Sequence, residues 1–383
     1  MAVIKANAYG HGSPEIAVAL SKDVEMFGVA NVTEARAVRH ALPEVEIFIL
    51  GTALPSERQE IVNSRLIPCI SSLEEAQKFH ELHQNKAVRV HLTIDTGMGR
   101  MGVWQDDILE VARELIRLPY LEIAGIATHL PSADEDEIYT ANQLDRFEKI
   151  VEQLRDLGMK APLIHSLNSA GVIRFGHHTP PLKQETADDC TPERTCPEPT
   201  VSKEDPRMDV THKMPFCEGI GMVRTGLMLY GISPIPGFQN QLRPVLTLKT
   251  RVILVRTLGS GRSISYGGKF VTTRTTQVAT LAIGYADGYP RNLSEHGAIA
   301  LIQGTRCPVL GRVTMDQIMV DVTDLKEVIP GEEAILIGSD GEWEILASDL
   351  AEKAGIIVWE LFTGLKGRVE RIYLHRTSSF EKS

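Results

Sequence analysis

Short apolar runs rich in β-branched residues alternate with amphipathic segments through the first 225 residues. This alternation constrains the fold more than any other feature of the chain. The runs are AVIK (2–5), MFGVA (26–30), EIFIL (46–50), IPCI (67–70), VRVHLTI (88–94), EIAGIAT (122–128), LIHS (163–166) and GMVR (221–224). Helical patterns fill the gaps near 14–22, 33–42, 56–64, 73–83, 107–118 and 138–157, the fourth opened by the capping box Ser72-Leu-Glu-Glu75. Runs without polar alternation suit strands buried on both faces of a parallel sheet, and parallel neighbours require crossover helices. Eight such units predict an α/β chain beginning with a (β/α)8 TIM barrel.

From about residue 242 the texture changes. Val245–Leu258, Gln277–Gly284, Ile299–Ile302, Ile318–Val322, Ala334–Gly338 and Val369–Leu374 read as strands between Gly-rich turns, with one helix near 347–354. A length of 383 residues suits two domains, so we expect a barrel over 1–240 followed by a β-rich C-terminal domain over 241–383. Segment 176–216 fits neither. Rich in proline, threonine and charge, with no apolar period, it reads as a disordered insertion between the seventh and eighth strands. His177, His178, Cys190, Cys196, His212 and Cys217 in and beside it match no zinc spacing, and no metal is expected.

Composition narrows the partners. A net charge of −10 does not favour nucleic acid or an anionic membrane surface. No apolar run approaches the ~18 residues of a membrane-spanning helix, and the first residues lack a signal peptide's apolar stretch. Five scattered cysteines imply no disulfide framework, which places the chain in the cytoplasm.

A parallel barrel builds its active site at the C-terminal ends of its strands. Lys5 and Tyr9 follow the first strand and Asp95 to Arg100 the fifth. Thr128 and His129 end the sixth, His165 to Ser169 the seventh, and Arg224 to Leu227 the eighth. A lysine desolvated there beside other cations loses its proton readily enough to form a Schiff base. Glycine and serine after strands seven and eight commonly hold a phosphate. Arginine can address a ring nitrogen, a phenolate or a carboxylate. Together these are the protein's side of pyridoxal 5'-phosphate chemistry, though spacing alone leaves Lys5 open as an ordinary surface lysine.

A rival motif, Gly97-Met-Gly99-Arg-Met-Gly102, matches G-x-G-x-x-G and follows a strand. The next helix starts only near Asp106, so these glycines do not form its first turn and a dinucleotide site is not expected. Walker A, G-x-S-x-G and H-E-x-x-H patterns are absent from the sequence.

Nine segments, in order, resemble the alanine racemase family: AVIKANAYGHG, IDTGMGRMG, ATHLPSADE, HSLNSAG, MVRTGLMLYG, SISYGG, AIGYADGYPR, GRVTMDQIMVDV and WELFTGLKGRVERIY. The resemblance implies a homodimeric isomerase with shared active sites that interconverts L- and D-alanine for peptidoglycan. Lys5 would hold the cofactor and act as base on one face of the substrate. Tyr266, reaching in from a partner subunit, would be the base on the other. One removes the Cα proton while the other donates from behind. A tyrosine, with its ordinary pKa near 10, needs help to act as a base, and His129 with Arg224 would assist it. Arg224 would bond the pyridine nitrogen and leave it unprotonated. His165 would pack against the ring, and Tyr9, Asn168, Ser169, Gly226 and Leu227 would surround the phosphate. Arg100 would contact a cofactor oxygen, and Met315 from the partner the substrate carboxylate. Asp134, Tyr285, Arg291 and Arg312 would line the entrance.

Three departures follow from the same resemblance. Thr93 stands where the family usually has a carbamylated lysine, so Arg100 needs another anion, a water or chloride. Trp359 replaces a phosphate-binding tyrosine, which leaves a serine or broad-specificity racemase as an alternative. Lys5 has four residues before it where the family has a further strand and helix, so the barrel is expected to be N-terminally truncated. These departures also leave open a degenerate, cofactor-binding homologue with little turnover.

Overall fold

The computed structural model describes residues 1–176, 220–294 and 296–374. Apart from Gly176, the expected insertion 176–216 lies outside the described residues, as do the possible zinc ligands named with it. No helix among the described residues is long and apolar enough to cross a membrane.

Eight parallel strands pair in chain order: β1 (Ala2–Val3), β2 (Met26–Val29), β3 (Glu46–Ile49), β4 (Ile67–Ile70), β5 (Val88–Asp95), β6 (Leu121–Ala127), β7 (Leu163–His165) and β8 (Ile220–Gly221). A parallel bridge between Ala2 and Thr225 closes the barrel, with Val3 N donating to Thr225 O at 2.8 Å. The crossover helices are α1 (Ser13–Leu20), α2 (Val32–Ala41), α3 (Arg58–Asn63), α4 (Leu73–Glu81), α5 (Ile108–Leu115) and α6 (Glu137–Asp156), followed by α7 (Ser169–Phe175). The α4 cap is half the expected box. Ser72 accepts from Glu75 N, but the Glu75 carboxylate accepts from Ser71 N instead of the cap's own N–H.

On β5 the period of two sorts the residues. Val90, Leu92 and Ile94 join the barrel's apolar core, while His91, Thr93 and Asp95 are buried polar residues on the opposite face. That buried polar face foreshadows the site.

The second domain is a seven-stranded antiparallel sheet with its own core. Its strands are β9 (Leu248–Leu258), β12 (Thr276–Leu281), β13 (Ile299–Ile302), β14 (Thr305–Pro308), β15 (Ile318–Asp321), β16 (Glu333–Asp340) and β17 (Trp343–Ile345). The small hairpin β10 (Ser263–Ile264) and β11 (Phe270–Val271) stands beside it. Two helices close the domain, α8 (Ala347–Ala354) and α9 (Val358–Gly364), the second of which the sequence reading did not expect. Val369–Leu374 is not a strand. Its side chains instead reach back to the barrel, Arg371 Nε donating to Gly10 O at 2.7 Å and Tyr373 OH to His11 O at 2.9 Å.

Candidate active site

One cavity of about 540 Å³ opens at the C-terminal ends of the barrel strands. Lys5, Tyr9, Thr93, Asp95, Arg100, His129, Asp134, Asn168, Ser169, Arg224, Gly226, Leu227 and Trp359 all line it. These residues come from six separate stretches of chain, and the strand-end rule had named most of them.

Lys5 enters the cavity from an unusual backbone. Ala6, Asn7, Ala8 and Tyr9 have φ of 52°, 53°, 53° and 53°, so one turn of left-handed helix follows β1. L-residues adopt this conformation at a cost, and only surrounding structure maintains it. Here the support is visible. Glu34 Oε1 accepts from Ala6 N at 2.7 Å while its Oε2 accepts from Ala30 N at 2.8 Å. Asn7 Oδ1 accepts from Ser13 N, and Gly10, with φ of 84°, lies so close to α9 that a Cβ there would sit 2.2 Å from Phe362 O. The turn brings Tyr9 against Gly226, where a Cβ would meet the Tyr9 hydroxyl at 2.4 Å. Burial pushes Tyr9 up to about 12, so it stays a neutral hydroxyl donor. Burial, then Arg100 and Arg224, lower Lys5 below the usual lysine value, against an opposing pull from Glu34.

Arg224, 6% exposed, stands in the cavity wall. Nη2 donates to Thr128 O at 2.5 Å and Ser166 O at 2.9 Å, and lies 3.4 Å from His129 Nδ1. Nη1 contacts His165 Nδ1 at 2.7 Å and donates to His165 O at 3.2 Å. Nε has no partner among the described residues, which leaves one donor for a ligand acceptor. Desolvation lowers Arg224 to about 10, so it remains a cation at neutral pH. His129 falls to about 3, through burial and then the charges of Arg224, Arg100 and Lys5, and is a neutral imidazole in the cavity wall.

His165 does not line the cavity, contrary to the ring-packing position expected of it. It is 1% exposed and stands behind Arg224, because β7 turns its last side chain into the barrel, where it meets His91. His129 occupies the wall instead. Beside it, Ser169 Oγ accepts from Gly226 N at 2.9 Å, which ties the loops after β7 and β8 together. Asn168 caps α7 by accepting from Gly171 N.

The G-x-G-x-x-G loop is already committed. Asp95 Oδ1 accepts from the N–H groups of Gly97, Met98 and Gly99, and Oδ2 from that of Arg100. Those amides are therefore spent on a side chain and form no pyrophosphate cradle. Asp95 carries no role in the sequence reading beyond its place at a strand end, yet it shapes the loop that delivers Arg100. The Asp two residues before the first glycine was the available signal. Thr93 Oγ1 lies 2.9 Å from the buried Cys69 Sγ, and the Arg100 guanidinium has no hydrogen-bond partner among the described residues.

Tyr266, Met315, Arg312, Tyr285 and Arg291 do not line this cavity. They gather on one face of the second domain. Ser265 Oγ donates to Arg312 O, Tyr285 N to Thr314 O, Ala286 N to Met315 O, and Val313 N to the Ser294 hydroxyl beside Arg291. Tyr266 is 69% exposed and Met315 53%. Among the described residues no group of three His, Cys, Asp or Glu is gathered to hold a metal ion.

Two family descriptions match, "Alanine racemase, N-terminal domain" over residues 1–182 and "Alanine racemase, C-terminal domain" over 245–373. A relative from Halothermothrix orenii named alanine racemase is 37% identical over 382 residues, 98% of this chain and 90% of its own. Another of that name, from Symbiobacterium thermophilum, is 38% identical, covering 97% and 90%. Among solved structures, alanine racemase of Clostridium difficile 630 aligns with a TM-score of 0.80 and 30% identity over 97% of this chain and 88% of that one. The enzyme of the D-cycloserine producer Streptomyces lavendulae gives 0.81 and 28%, over 98% and 90%. The chain belongs to the alanine racemase family.

Proposed function

We propose that this isomerase racemises alanine with pyridoxal phosphate, using Lys5 and Tyr266 as bases on opposite faces of the substrate, and that it works as a cytoplasmic homodimer supplying D-alanine for peptidoglycan. The observation that carries the reading is a division of parts. One cavity holds a lysine of lowered pKa, a buried arginine with a spare donor and a Ser/Gly/Tyr cradle. Tyr266 and Met315 lie exposed elsewhere on the same chain, with Tyr285 and Arg312 half-buried near them.

The residues present fit the cofactor. Tyr9 and Ser169 offer hydroxyls and Leu227 a backbone amide for the phosphate, with Gly226 leaving room beside them. Arg224 Nε is free to donate to a ring nitrogen, and Lys5 supplies an amine. Bound there, pyridoxal phosphate supplies the electron sink that makes a Cα proton removable. Lys5 takes or returns that proton at Nζ, and Tyr266 of a second copy does so at its hydroxyl from the other side. His129, which lines the cavity, would be available beside the cofactor, and His165 holds Arg224 from behind. Arg224 keeps its own proton, so against a cofactor held there it would leave the ring nitrogen unprotonated and the electron sink moderate.

Incubation with pyridoxal phosphate and L-alanine in D2O tests this directly. D-alanine bearing deuterium at Cα is the expected product. No exchange at Cα overturns the reading, and exchange without inversion removes the two-base mechanism, with only one of Lys5 and Tyr266 acting on the substrate. Trp359 in the cavity wall favours one variation, a wider substrate range. Side-by-side kcat/KM values for alanine, serine and lysine are expected to rank alanine first, and any other order replaces alanine as the substrate.

A further inference from the structure

The hydrogen bonds behind Arg224 have a direction. A guanidinium only donates, so the 2.7 Å contact of Arg224 Nη1 with His165 Nδ1 makes that nitrogen an acceptor. A neutral His165 then carries its proton on Nε2, which lies 2.8 Å from His91 Nδ1. His91 Nδ1 must accept in turn. The His91 proton falls on Nε2, an atom that is buried and without a partner among the described residues. The reverse direction is closed, because it would need His165 to accept at both nitrogens and carry no proton at all. Burial also keeps both rings neutral, lowering His91 to about 3 and His165 well below the usual histidine range.

The fold makes a specific seat for His91. The register of β5 against β6 shifts between Val90 and His91, setting His91 opposite Gly125. A Cβ at Gly125 would lie within 2.9 Å of three atoms of the imidazole, and Phe48 closes the other side with ring centroids 4.6 Å apart. A phenylalanine could fill this space with no orphaned N–H. A bulge, a glycine and an unsatisfied donor are thus all accepted to keep one acceptor atom beside His165 Nε2. Among the described residues Arg224 meets no carboxylate. Its other close acceptors are carbonyls, which accept whatever the histidines do.

We propose that His91 is a positioning residue: by accepting from His165 Nε2 it locks the tautomer that presents a lone pair to Arg224, and so holds the guanidinium in the cavity wall. The consequence for the cofactor rests on the assignment of Arg224 to the ring nitrogen; the tautomer lock does not.

The test has two arms. ¹⁵N-histidine NMR of the full-length protein, with and without pyridoxal phosphate and with resonances assigned by single substitutions, is expected to show both His91 and His165 as Nε2–H tautomers. An Nδ1–H form or a cation at either residue overturns the lock. In the second arm, His91→Phe keeps the ring volume and loses the acceptor, while His91→Asn keeps an oxygen near the place of Nδ1. His91→Phe is expected to weaken pyridoxal phosphate binding roughly tenfold and to shift the absorption band of the bound cofactor, and His91→Asn to restore the band. Gly125→Ala, which pushes on the same ring, should resemble His91→Phe. Equal effects of Phe and Asn would reduce His91 to a packing residue and overturn the proposal. If the tautomers are as stated but Arg224→Lys leaves the band unmoved, the assignment of Arg224 fails and the cofactor half of the proposal fails with it.

Discussion

Lys5 sits in a balance of three charges that can be moved one at a time. Arg100 and Arg224 favour its neutral amine, and Glu34 favours the ammonium. The neutral form attacks a carbonyl, so the pH midpoint for covalent capture of pyridoxal phosphate should lie below lysine's ordinary 10.5. Removing a cation raises the midpoint and removing the anion lowers it. Arg100→Leu is therefore expected to shift the borohydride-trapping profile to higher pH, and Glu34→Gln to lower pH. Equal shifts in one direction would show that charge is not the cause. Lys5, Arg224 and Ser169 were legible because the strand-end rule needs only the strand pattern. His129 and His165 could not be told apart that way. Each ends a strand, and which imidazole faces the cavity is set by packing against His91 and Arg224, contacts far apart in sequence.

At the level of elements, the least legible piece is the left-handed turn of residues 6–9. Ala6, Ala8 and Tyr9 carry no signal for it; only Asn7, and Gly10 and Gly12 beyond the turn, hint at positive φ. Its support comes from the far end of the chain, since Gly10 lies on α9 and Arg371 bonds Gly10 O. The same long reach explains the misreading of Val369–Leu374. Its apolar and aromatic residues suggest a strand, but among the described residues no strand lies beside it to pair with. Two substitutions probe the turn in opposite directions. Gly10→Ala places a methyl on a backbone carbonyl at positive φ and should destabilise by about 2 kcal/mol or more in urea unfolding. Ala6→Gly, at an exposed position, relieves a left-handed alanine and should stabilise by up to about 1 kcal/mol. A Gly10→Ala variant within about 0.5 kcal/mol of the parent would mean that α9 does not hold the turn.

At the scale of the whole molecule, the residues of the proposed site lie in two places. The barrel cavity has Lys5 but no Tyr266, and the exposed second-domain face has Tyr266, Arg312 and Met315 but no cofactor cradle. The (β/α)8 barrel and β-rich domain were legible as a change in texture near residue 242. The proposed division of the site between copies is not legible there, because pattern and spacing do not say which copy a residue serves. A closed two-fold dimer would let each face complete the other's cavity, twice over. This arrangement has a quantitative signature. Lys5→Ala and Tyr266→Phe are each expected to be nearly inactive alone. Mixed and allowed to exchange subunits, random pairing makes half the dimers hybrids. Each hybrid has one site with Lys5 from one copy and Tyr266 from the other, and one site lacking both. Activity should recover to about one quarter of the parent's. If both residues served one chain's own cavity, every site in the mixture would lack one of them, and mixing would recover nothing.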